Sequence, residues 1–565
     1  MRVQRVEVQN FRGIEKCDIH FPEDNKIVIL IGPGDSTKST LLTAIQWNAW
    51  PSWNLQAIDT DFYQKKTQTD IIIRCTYTDV ARELLSEDKY GLYLRKPDVE
   101  YDGESDDEPS DDEISLTVQL TIDSSLEPKW EVVCNRKEPK VISAKDRQKL
   151  NVCVIGNSAY ADFQWGKNSV LQKYTQSREV LHDAYMKAVR HAANDADLSA
   201  LDDVVESIEA IGKEYGVGFQ NSITNKLIYQ NASFSSSVGL FDGNVPLTQR
   251  GLGSRRLLSM GLNINVTNDN SILLIDEIES GLEPYRIKSL INQFRSKMNN
   301  NNHVIFTTHS PVVVSEAKLE DMLVIRSEQG ITKASRFEAT SATKDFIQKT
   351  VRSNAEAFLT KRLIVCEGKT EIGYIRALDN YLDMKYEERM AYHGVGTFLG
   401  GGESVLECAQ LLQKCGYDVC VFMDSDKEEK EAEKTAAREN NIPIFDWDKN
   451  NAIEDQLFLD SPEDVVQRFL DIAVSEKGID SIKDSILGIQ VDVDGENLVL
   501  KDYSLQTRKF LAETSKRKKQ CWFKRIDLGE MLGDAVFANI SKYDKTGKIN
   551  SINNNLIEWI KKDNE

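Results

Sequence analysis

Short, continuous runs of aliphatic residues that stop abruptly on polar residues dominate the hydrophobic pattern of this chain. Runs of this length, rich in Val, Ile and Leu, are typical of strands buried in a parallel sheet. The residues that follow several of these runs have helical spacing instead, which indicates alternating strands and helices. The pattern therefore predicts an α/β fold, with buried strands at residues 26–31, 271–275, 304–308, 363–366 and 419–423.

The length of 565 residues is too great for one hydrophobic core and predicts two to four domains. We expect residues 1–159 and 236–355 to form two halves of one domain, because both carry buried strands. Residues 160–235 lack strand alternation and are predicted to be a helical insert between these halves. The remaining strands place a second domain at residues 356–565.

The composition is that of a soluble globular protein, with 40% hydrophobic and 28% charged residues. No apolar run approaches the length of a membrane span, and the first residues do not resemble a signal peptide. The nine cysteines are scattered without a CxxC pair, which favours a reduced, cytoplasmic protein and argues against a zinc site. We therefore expect a cytoplasmic protein with no membrane contact.

The net charge of −20 is unevenly distributed along the chain. Residues 98–113 contain ten acids and no base, so we expect a solvated, disordered loop there. Basic residues cluster at 516–519, where a solvated face and a DNA contact are equally plausible, and at 524–525. The overall charge therefore does not decide whether the protein binds DNA.

A phosphate-binding loop follows the first buried strand and precedes a helical pattern. Backbone N–H groups of such a loop and the helix dipole bind the β- and γ-phosphates of a nucleotide. Lys38 is predicted to neutralise phosphate charge, and the Ser39 hydroxyl to bind Mg²⁺. Thr37 stands where glycine is usual, which costs roughly 1 kcal/mol if φ is positive there and predicts slow hydrolysis. The predicted loop residues are Gly32, Gly34, Asp35, Ser36, Thr37, Lys38, Ser39 and Thr40.

Polar residues at three later positions complete the predicted ATP site. Asp276 ends the second buried strand and is expected to bind Mg²⁺ with Ser39, while Glu277 polarises the attacking water. His309 ends the third strand and is a candidate γ-phosphate contact. Gly253 and Ser254 lie at the start of a helix upstream of these acids and form a further anion site.

Together with residues 10–13 (NFRG), these motifs resemble the ABC-type ATPases of the SMC class. The resemblance implies a homodimer in which Gly253 and Ser254 complete the nucleotide site of the opposite subunit. It also implies a D-loop at residues 279–283 and makes Gln64 a candidate Q-loop residue. We favour dimerisation as the role of the 160–235 insert over a regulatory sensor arm.

Pairs of carboxylates follow the two buried strands of the last domain. Glu367 ends the first of these strands, and Glu371 lies about one helical turn later. Asp424 and Asp426 follow the second strand, two residues apart, so in an extended chain they point to one side. Because the ends of parallel strands meet at one edge of a sheet, these oxygens predict a site for Mg²⁺ or Mn²⁺.

An ABC-type ATPase followed by these acids resembles the OLD family, in which a TOPRIM domain follows the ATPase, and the related nucleases of Gabija and retron systems. The resemblance implies a two-cation nuclease with one more acid, for which Glu454 is the candidate. It also implies a lysine near the carboxyl terminus that stabilises transition-state charge. Lys524 is our first choice for that lysine, and Lys542 is the reserve.

Other roles for these residues remain open at this stage. Glu371 could pair with Lys369 or Arg376 on a solvent face, and Glu454 with Asp455 could reflect only the preference for acids at a helix start. Residues 400–402, three glycines, are expected to form a loop with positive φ angles.

The sequence therefore predicts a metal-dependent DNA endonuclease whose activity is regulated by ATP at a dimeric or larger ABC-type assembly. The resemblance points to anti-phage defence, with a partner protein or RNA as a further expectation. The alternative is a DNA-repair or recombination ATPase whose TOPRIM domain binds DNA without cleaving it. A topoisomerase is less favoured, because no strand-passage region and no assignable catalytic tyrosine accompany the acids.

Overall fold

The computed structural model describes residues 1–155 except 24, 102–106 and 111–113, and residues 240–562 except 267–270, 298–301, 339–340, 428–429, 496 and 518–519. Between these two parts it describes only residues 171, 187–188, 191, 199, 202 and 205–206. The helical insert predicted for residues 160–235 therefore lies essentially outside the described residues.

The described strands, named β1 to β20 in chain order, form two large sheets and two small ribbons. Their bounds are Arg2–Phe11, Ile14–His20, Ile27–Ile31, Ile71–Thr78, Ser115–Ile122, Pro128–Cys134, Lys137–Val141, Val152–Ile155, Phe241–Asp242, Val245–Pro246, Ile272–Ile275, His303–Thr307, Met322–Glu328, Ile331–Ser335, Arg362–Cys366, Val395–Leu399, Asp418–Met423, Ile444–Asp446, Val491–Asp494 and Asn497–Leu500.

The described α-helices, named α1 to α15 in chain order, follow the strands of both large sheets. Their bounds are Lys38–Asn48, Ala144–Arg147, Leu252–Val266, Pro284–Lys297, Pro311–Glu316, Ser341–Ser353, Lys369–Tyr386, Val405–Lys414, Glu431–Glu439, Ile453–Asp460, Glu463–Lys477, Ile479–Ser485, Leu505–Ser515, Ile526–Ala538 and Lys548–Lys561.

The larger sheet combines strands from both sides of the undescribed segment. In the described residues its order is β7-β6-β5-β4-β1-β2-β14-β13-β3-β12-β11-β8. Strand β3 lies between β12 and β13 and runs parallel to both, so the two halves of the chain interdigitate. All five residues of β3 are buried, as the continuous aliphatic run predicts. The ends of β3, β11 and β12 therefore meet at one edge of this sheet.

The smaller sheet has the order β16-β15-β17-β18, and all its strands are parallel. Strands β15 and β17 are its central pair, with Arg362 opposite Asp418 and Cys366 opposite Phe422. Residues of one face, including Leu363 and Val421, belong to the same hydrophobic core as Ile29 of the larger sheet. The two sheets are thus joined by continuous apolar packing.

Helix α14 packs against α7 on the other face of the smaller sheet through glycines. A Cβ atom at Gly373 would lie 2.1 Å from the Ile526 carbonyl oxygen, and one at Gly529 would lie 2.3 Å from the Thr370 carbonyl oxygen. Because real Cβ contacts are never this short, only glycine permits this approach. The close packing fixes the segment that precedes α14 beside the start of α7.

In the acidic segment, Asp98, Glu100 and Glu108 are exposed, Asp107 departs from the predicted solvated loop, and the other six acids lie outside the described residues. Asp107 is fully buried, and its carboxylate forms ion pairs with Arg95 at 3.3 Å and Arg136 at 2.9 Å. The Asn135 backbone N–H also donates to this carboxylate at 2.8 Å. Acid-rich segments are expected to be solvated because burying a charge is costly. At Asp107 this cost is offset, because the carboxylate has two arginine partners and a backbone N–H donor.

A search of the described helices finds none with both the length and the apolar composition that a membrane span requires.

Candidate functional site

The loop after β3 holds the buried ammonium group of Lys38. The Nζ atom donates to the carbonyl oxygens of Gly32 at 3.1 Å and Pro33 at 2.7 Å, and to Ser36 Oγ at 3.0 Å. Burial, with the charge of Arg326 as the next cause, lowers the pKa of Lys38 to about 8. The loop thus curls around a positive charge at the start of α1, which is the arrangement that binds phosphate.

Thr37 adopts the left-handed conformation that its position in the loop predicts, with φ 65° and ψ 14°. Asp35 also has a positive φ of 59°, and Gly32 has a φ of 145°. The Thr37 hydroxyl donates to the Ser36 carbonyl oxygen at 2.7 Å and lies 2.9 Å from Thr332 Oγ1. These bonds partly offset the strain of a β-branched residue in this region. Gly34 and Thr40 flank this strained turn in the loop and in α1.

Asp276 comes directly after β11 and faces the start of α1. Its Oδ1 atom accepts hydrogen bonds from Ser39 Oγ at 2.8 Å and from Thr307 Oγ1 at 2.6 Å. The next residue, Glu277, has a positive φ of 46°, and its backbone N–H donates to Thr307 Oγ1 at 2.8 Å. The predicted Mg²⁺ ligands Ser39 and Asp276 are therefore adjacent, and the Glu277 side chain is exposed beside them.

Glu279 fastens the segment after these acids to the end of β12. Its carboxylate accepts from Thr308 Oγ1 at 2.8 Å and from the His309 backbone N–H at 2.7 Å. The His309 side chain is exposed, and partial burial together with the charge of Lys38 lowers its pKa. Electrostatic contact with Lys38 places His309 on the phosphate side of the site, so a neutral imidazole is available there as a hydrogen-bond partner.

The start of helix α3 carries Gly253 and Ser254, which do not contact the loop of the same chain in the described bonds. A Cβ atom at Gly253 would lie 2.1 Å from the Gly281 carbonyl oxygen, so glycine permits the D-loop segment to pack there. Ser254 is exposed and lines a cleft of about 560 Å³ between α3 and α4, with Leu258 and Tyr285. This outward placement is the one that a site shared between two subunits requires.

Gln64 has a φ of 51° and lies in a strained turn before β4. Its Nε2 atom donates to the Tyr63 hydroxyl at 3.1 Å, and that hydroxyl donates to the Gln329 carbonyl oxygen at 3.3 Å. A role for Gln64 at the nucleotide stays a prediction.

At the second sheet, four predicted acids converge at the ends of β15 and β17. Glu367 follows β15, and its Oε2 atom accepts from the Asp424 backbone N–H at 3.2 Å. Asp424 follows β17, and its Oδ1 atom accepts from the Ile453 backbone N–H at 2.9 Å. This bond places the start of α10, with Glu454, against the strand ends. Glu371 is on the first turn of α7 and only 4% exposed.

Burial raises the pKa values of three of these carboxylates, and neighbouring acids add to the rise at two of them. Burial, followed by the charges of Glu454 and Glu367, raises the pKa of Glu371 to about 8. Burial and the charge of Glu371 raise the pKa of Asp424 well above its ordinary value, and burial raises the pKa of Glu454. A pairing of Glu371 with Lys369 or Arg376 on a solvent face is therefore wrong. The acids at this site outnumber the basic side chains that are described in direct contact with them.

Asp426 differs from the other acids in its exposure. Strand β17 ends at Met423, so the alternation expected for Asp424 and Asp426 does not extend to them. Asp426 is exposed, although its charge contributes to the raised pKa of Asp424. It lies at the solvent side of the cluster.

Lys430 supplies a positive charge within this cluster. Its Nζ atom donates to Glu367 Oε1 at 3.1 Å and to the Gly402 carbonyl oxygen at 2.9 Å, and the residue is 7% exposed. Gly401 and Gly402 have φ angles of 75° and 69°, as expected for the glycine loop. One turn later, the fully buried Lys434 binds Ser425 Oγ at 3.0 Å and thereby holds the loop that follows β17.

Lys524, the first-choice lysine, is exposed, and its role at the acids stays a prediction. Its charge lowers the pKa of Glu454, as does that of Lys516, which forms an ion pair with Asp455. The Thr370 hydroxyl donates to the Phe523 carbonyl oxygen at 3.1 Å, so the residue before Lys524 is tied to the start of α7. Trp522 and Phe523 are both buried and anchor this segment.

The reserve lysine is in a different position. Lys542 pairs with the exposed carboxylate of Asp464, and none of its described contacts reaches the cluster. Asp455 also accepts from the Ala452 backbone N–H at 2.8 Å and so caps α10, as its alternative role predicted. Glu454 is buried at 4% exposure among the acids instead.

The donor atoms of the cluster are those that Mg²⁺ and Mn²⁺ prefer, namely carboxylate oxygens. Their mutual repulsion is the electrostatic condition that a divalent cation relieves. In the described residues, however, no group of three or more His, Cys, Asp or Glu side chains is arranged as a complete metal site. Glu367 and Asp424 are instead bound to Lys430 and to backbone N–H groups, so the donor chemistry fits a cation and the convergence is incomplete.

Several residues around the two sites were not predicted from the sequence. Thr307 and Glu279 form hydrogen bonds that position the segments of the nucleotide site. Lys430 and Lys434 do the same at the carboxylate site. The two lysines are four residues apart, a spacing that places both on one helix face and is a signal for a shared role. Nothing in local sequence identifies Thr307, because its role depends on β12 lying beside β11.

Two families of ATPase domains match the chain. The family described as "AAA ATPase domain" matches residues 1–176. The family described as "AAA domain, putative AbiEii toxin, Type IV TA system" matches residues 158–315. No curated protein matches the sequence.

Among solved structures, the chain is similar to heads of SMC proteins. An SMC head bound to the C-winged helix domain of ScpA has 13% identity and a TM-score of 0.36, covering 61% of this chain and 100% of that one. The SMC head domain from Thermotoga maritima has 13% identity and a TM-score of 0.29, covering 60% and 100%. A head with an extended coiled coil, bound to the C-terminal domain of ScpA derived from Pyrococcus furiosus, has 11% identity and a TM-score of 0.34, covering 62% and 99%.

The family matches span the loop around Lys38 and the acids Asp276 and Glu277, where the geometry for binding a nucleotide phosphate and Mg²⁺ is found. The chain therefore contains an ATPase domain of the AAA type.

Proposed function

We propose that this protein is a metal-dependent DNA endonuclease whose activity is regulated by ATP. The observation that carries the proposal is the cluster formed by Glu367, Glu371, Asp424 and Glu454 at the ends of β15 and β17. Burial raises the pKa values of Glu371, Asp424 and Glu454, neighbouring acids add to the rise at Glu371 and Asp424, and the charge of Lys524 acts on Glu454. Such a concentration of buried negative charge is costly unless the protein uses it, and binding of divalent cations is the use that these donors favour.

Each residue of the cluster has a part in the proposed reaction. Glu367, Glu371, Asp424, Asp426 and Glu454 would hold Mg²⁺ or Mn²⁺. The cations, when bound, would activate the water that attacks the phosphodiester and stabilise the leaving oxygen. Lys524 would place its ammonium group against the charge that develops on the phosphate. The basic residues that precede it, from Lys516, would contact the DNA backbone.

The ATPase domain is proposed to act as a homodimer or a larger homo-oligomer. The outward-facing Ser254 supports this arrangement, because it lines a cleft away from the loop of its own chain. In a dimer, Ser254 and Gly253 of one subunit would bind the γ-phosphate held by Lys38 of the other. Glu277 would then orient the attacking water, and His309 would contact the γ-phosphate.

Two observations favour a second function, a repair or recombination ATPase that binds DNA without cutting it. The described acids do not form a complete three-ligand group, and Lys430 already neutralises Glu367. In that case Lys430 would replace the cation permanently. The two functions predict opposite results in a nicking assay.

The test is plasmid nicking with Mg²⁺ or Mn²⁺, without nucleotide, with ATP and with a non-hydrolysable analogue. Alanine at Glu367 or Asp424 should abolish nicking and leave ATP affinity unchanged. Glu439→Ala, at an exposed acid of the same domain, is the matched control and should nick normally. Nicking that persists in both site variants would show that another centre cuts the DNA, and a wild-type protein that binds DNA without nicking it would establish the second function.

We further propose a role in anti-phage defence, in the cytoplasm, with a partner protein or RNA as the trigger. The toxin named in the description of one matched family supports an effector of this kind. Infection of cells that carry the wild-type gene or the Asp424→Ala variant would test it, with protection expected only from the wild type.

A further inference from the structure

Arg326 lies on β13, between the nucleotide-binding loop and the sheet that carries the carboxylates. The residues of β13 before it pair with β3, with Val324 opposite Ile31, the last residue before the loop. The side chain of Arg326 leaves this sheet and contacts the segments that lead into β15 and β17. Arg326 thus contacts the carboxylate domain with its side chain and lies on the strand that packs against the nucleotide-binding loop.

On the nucleotide side, the residue before Arg326 packs against the loop, and the residue after it is linked to the loop through Thr332 of β14. The Ile325 carbonyl oxygen lies 2.4 Å from the position that a Cβ atom at Gly32 would take, so the backbone of the loop packs directly on it. Ser327 Oγ accepts from Thr332 Oγ1 at 3.2 Å, and Thr332 Oγ1 lies 2.9 Å from the hydroxyl of the strained Thr37. The loop therefore packs on the backbone directly before Arg326 and is connected to the residue after it by a chain of hydroxyl groups.

Nucleotide binding must change this loop. The Lys38 ammonium group now binds the carbonyl oxygens of Gly32 and Pro33, and a triphosphate would compete for its hydrogen bonds. The charge of Arg326 is also felt at Lys38, where it lowers the pKa. A bound phosphate will consequently affect Arg326 in two ways. It changes the loop that packs beside Arg326, and its negative charge attracts the guanidinium group.

On the carboxylate side, the guanidinium group binds the starts of the two central strands. Nη2 donates to the Thr360 carbonyl oxygen at 3.0 Å, and Nη1 is 3.4 Å from that of Lys361, the residue before β15. Cζ lies 4.1 Å from the ring centroid of Tyr417, the residue before β17. Tyr417 is only 2% exposed, so the ring is fixed by its surroundings.

The same two strands end at Glu367 and Asp424. Each is a short, fully hydrogen-bonded strand in a buried sheet, about 17–20 Å long at roughly 3.3 Å per residue. Because packed interiors are nearly incompressible, a displacement at the start of such a strand is transmitted to its end. Arg326 therefore acts at one end of the elements whose other end carries the acids.

We propose that Arg326 couples nucleotide occupancy of the loop at Lys38 to the arrangement of the acids at Glu367 and Asp424. The proposal rests on the proposed function and assigns the regulation of that same site. Nucleotide binding releases Gly32 from Lys38, shifts β13 at Ile325, and moves the guanidinium group against the starts of β15 and β17. Arg326 is in this scheme a positioning residue that touches neither ATP nor DNA.

The experiment uses the full-length protein and three variants. Arg326→Met keeps an apolar stem of similar length but removes the charge, the hydrogen bonds and the guanidinium group that stacks on Tyr417. Arg326→Lys keeps the charge and loses the two-pronged contact. Arg389→Met, at a half-exposed arginine that pairs with Asp379 and Asp383 in the carboxylate domain, is the matched control.

We expect the ratio of nicking rates with and without a non-hydrolysable ATP analogue to differ from one by roughly 5–150-fold in the wild type, the usual range of coupling between two sites. In Arg326→Met this ratio should approach one, with ATP affinity and nucleotide-free nicking changed less than about threefold. Arg326→Lys should give an intermediate ratio, and the control should match the wild type. A wild-type ratio that survives in Arg326→Met overturns the proposal.

A second readout does not depend on nicking. Hydrogen exchange at the amides of residues 364–366 and 421–423 should respond to the ATP analogue in the wild type and not in Arg326→Met. If the wild type fails to nick but shows this response, the proposed nuclease function fails and the coupling stands. If the analogue changes neither exchange nor nicking in the wild type, the coupling is overturned and the nuclease is judged on its own assay. Unchanged melting temperatures confirm that the variants are folded.

Discussion

The two sites at the strand ends of this protein carry charges of opposite sign. At the nucleotide site, the buried ammonium group of Lys38 donates to carbonyl and hydroxyl oxygens and can bind an anion. At the carboxylate site, Glu371 and Glu454 are buried and Asp424 is half-buried beside them, with Lys430 as the positive partner of Glu367. The first site is satisfied without its ligand, and the second is not.

This difference follows from what each ligand brings. Backbone dipoles can be oriented by the fold and cost little when the nucleotide is absent, so the loop is preformed. Carboxylates carry full charges, and gathering them without a cation raises their pKa values and lowers stability. The nucleotide site is thus defined by backbone geometry, whereas the carboxylate site is defined by side-chain charge, so we expect its stability to vary with pH and with any bound cation.

The largest expected effect separates the two candidate lysines of the carboxylate site. Lys524→Met should lower the nicking rate by roughly 100–1000-fold, the cost of losing one donor to transition-state charge. Mn²⁺ affinity should change little, because no metal ligand is removed. Lys542→Met, whose lysine pairs with Asp464 at the surface, is the matched control and should nick normally. Equal nicking by both variants would remove Lys524 from the proposed site.

The next effect is confined to the nucleotide site. Lys38→Met should weaken ATP binding by about 100-fold, or roughly 3 kcal/mol, because a charge-assisted contact to phosphate is lost. Divalent-cation binding at the acids should be unaffected, as titration calorimetry can show. Lys16→Met, at an exposed position on β2, is the control and should bind ATP like the wild type. Loss of cation binding in Lys38→Met would mean that the two sites are not separate.

The pH dependence of stability is expected to differ between the metal-free and metal-bound protein. The pKa of Glu371 is raised from its ordinary value to about 8, so the stabilisation from its protonated form is fully present below the unfolded pKa near 4.5 and is lost as pH rises through 8. We expect a loss on the order of 5 kcal/mol over this window in EDTA. Melting temperatures measured from pH 5 to 9 should fall steeply in EDTA and much less with Mn²⁺.

Glu371→Gln provides the check on this pH profile. The neutral amide should flatten the decline in EDTA, because no charge develops in the buried site. Glu356→Gln changes an exposed acid outside the cluster and should leave the wild-type profile intact. An unchanged slope in Glu371→Gln would assign the pH dependence to other groups.

The features of each site that local sequence determines could be predicted, whereas those that depend on contacts between distant elements could not. The strands before Gly32, Asp276, Glu367 and Asp424 were predictable, because continuous aliphatic runs have few other structures available to them. Ser39 beside Asp276 was also predictable, since parallel strand ends meet. The buried Asp107 was not, because its arginine partners are distant in sequence. The roles of Lys430 and Arg326 could not be predicted either, because both depend on contacts with segments that are distant in sequence.

The smallest effect tests whether the strain at Thr37 belongs to the nucleotide site alone. Its φ of 65° is costly for a β-branched residue, and glycine relieves that cost by about 1–2 kcal/mol while losing the hydroxyl contact with Thr332. Thr37→Gly should therefore raise the free energy of unfolding by about 1 kcal/mol in denaturant titrations. Thr43→Gly, inside α1, should lower it by about the same amount, because glycine is unfavourable within a helix. If Thr37→Gly destabilises the protein, the Thr332 contact outweighs the strain, and the bond between loop and β14 is stronger than the geometry of Thr37 alone indicates.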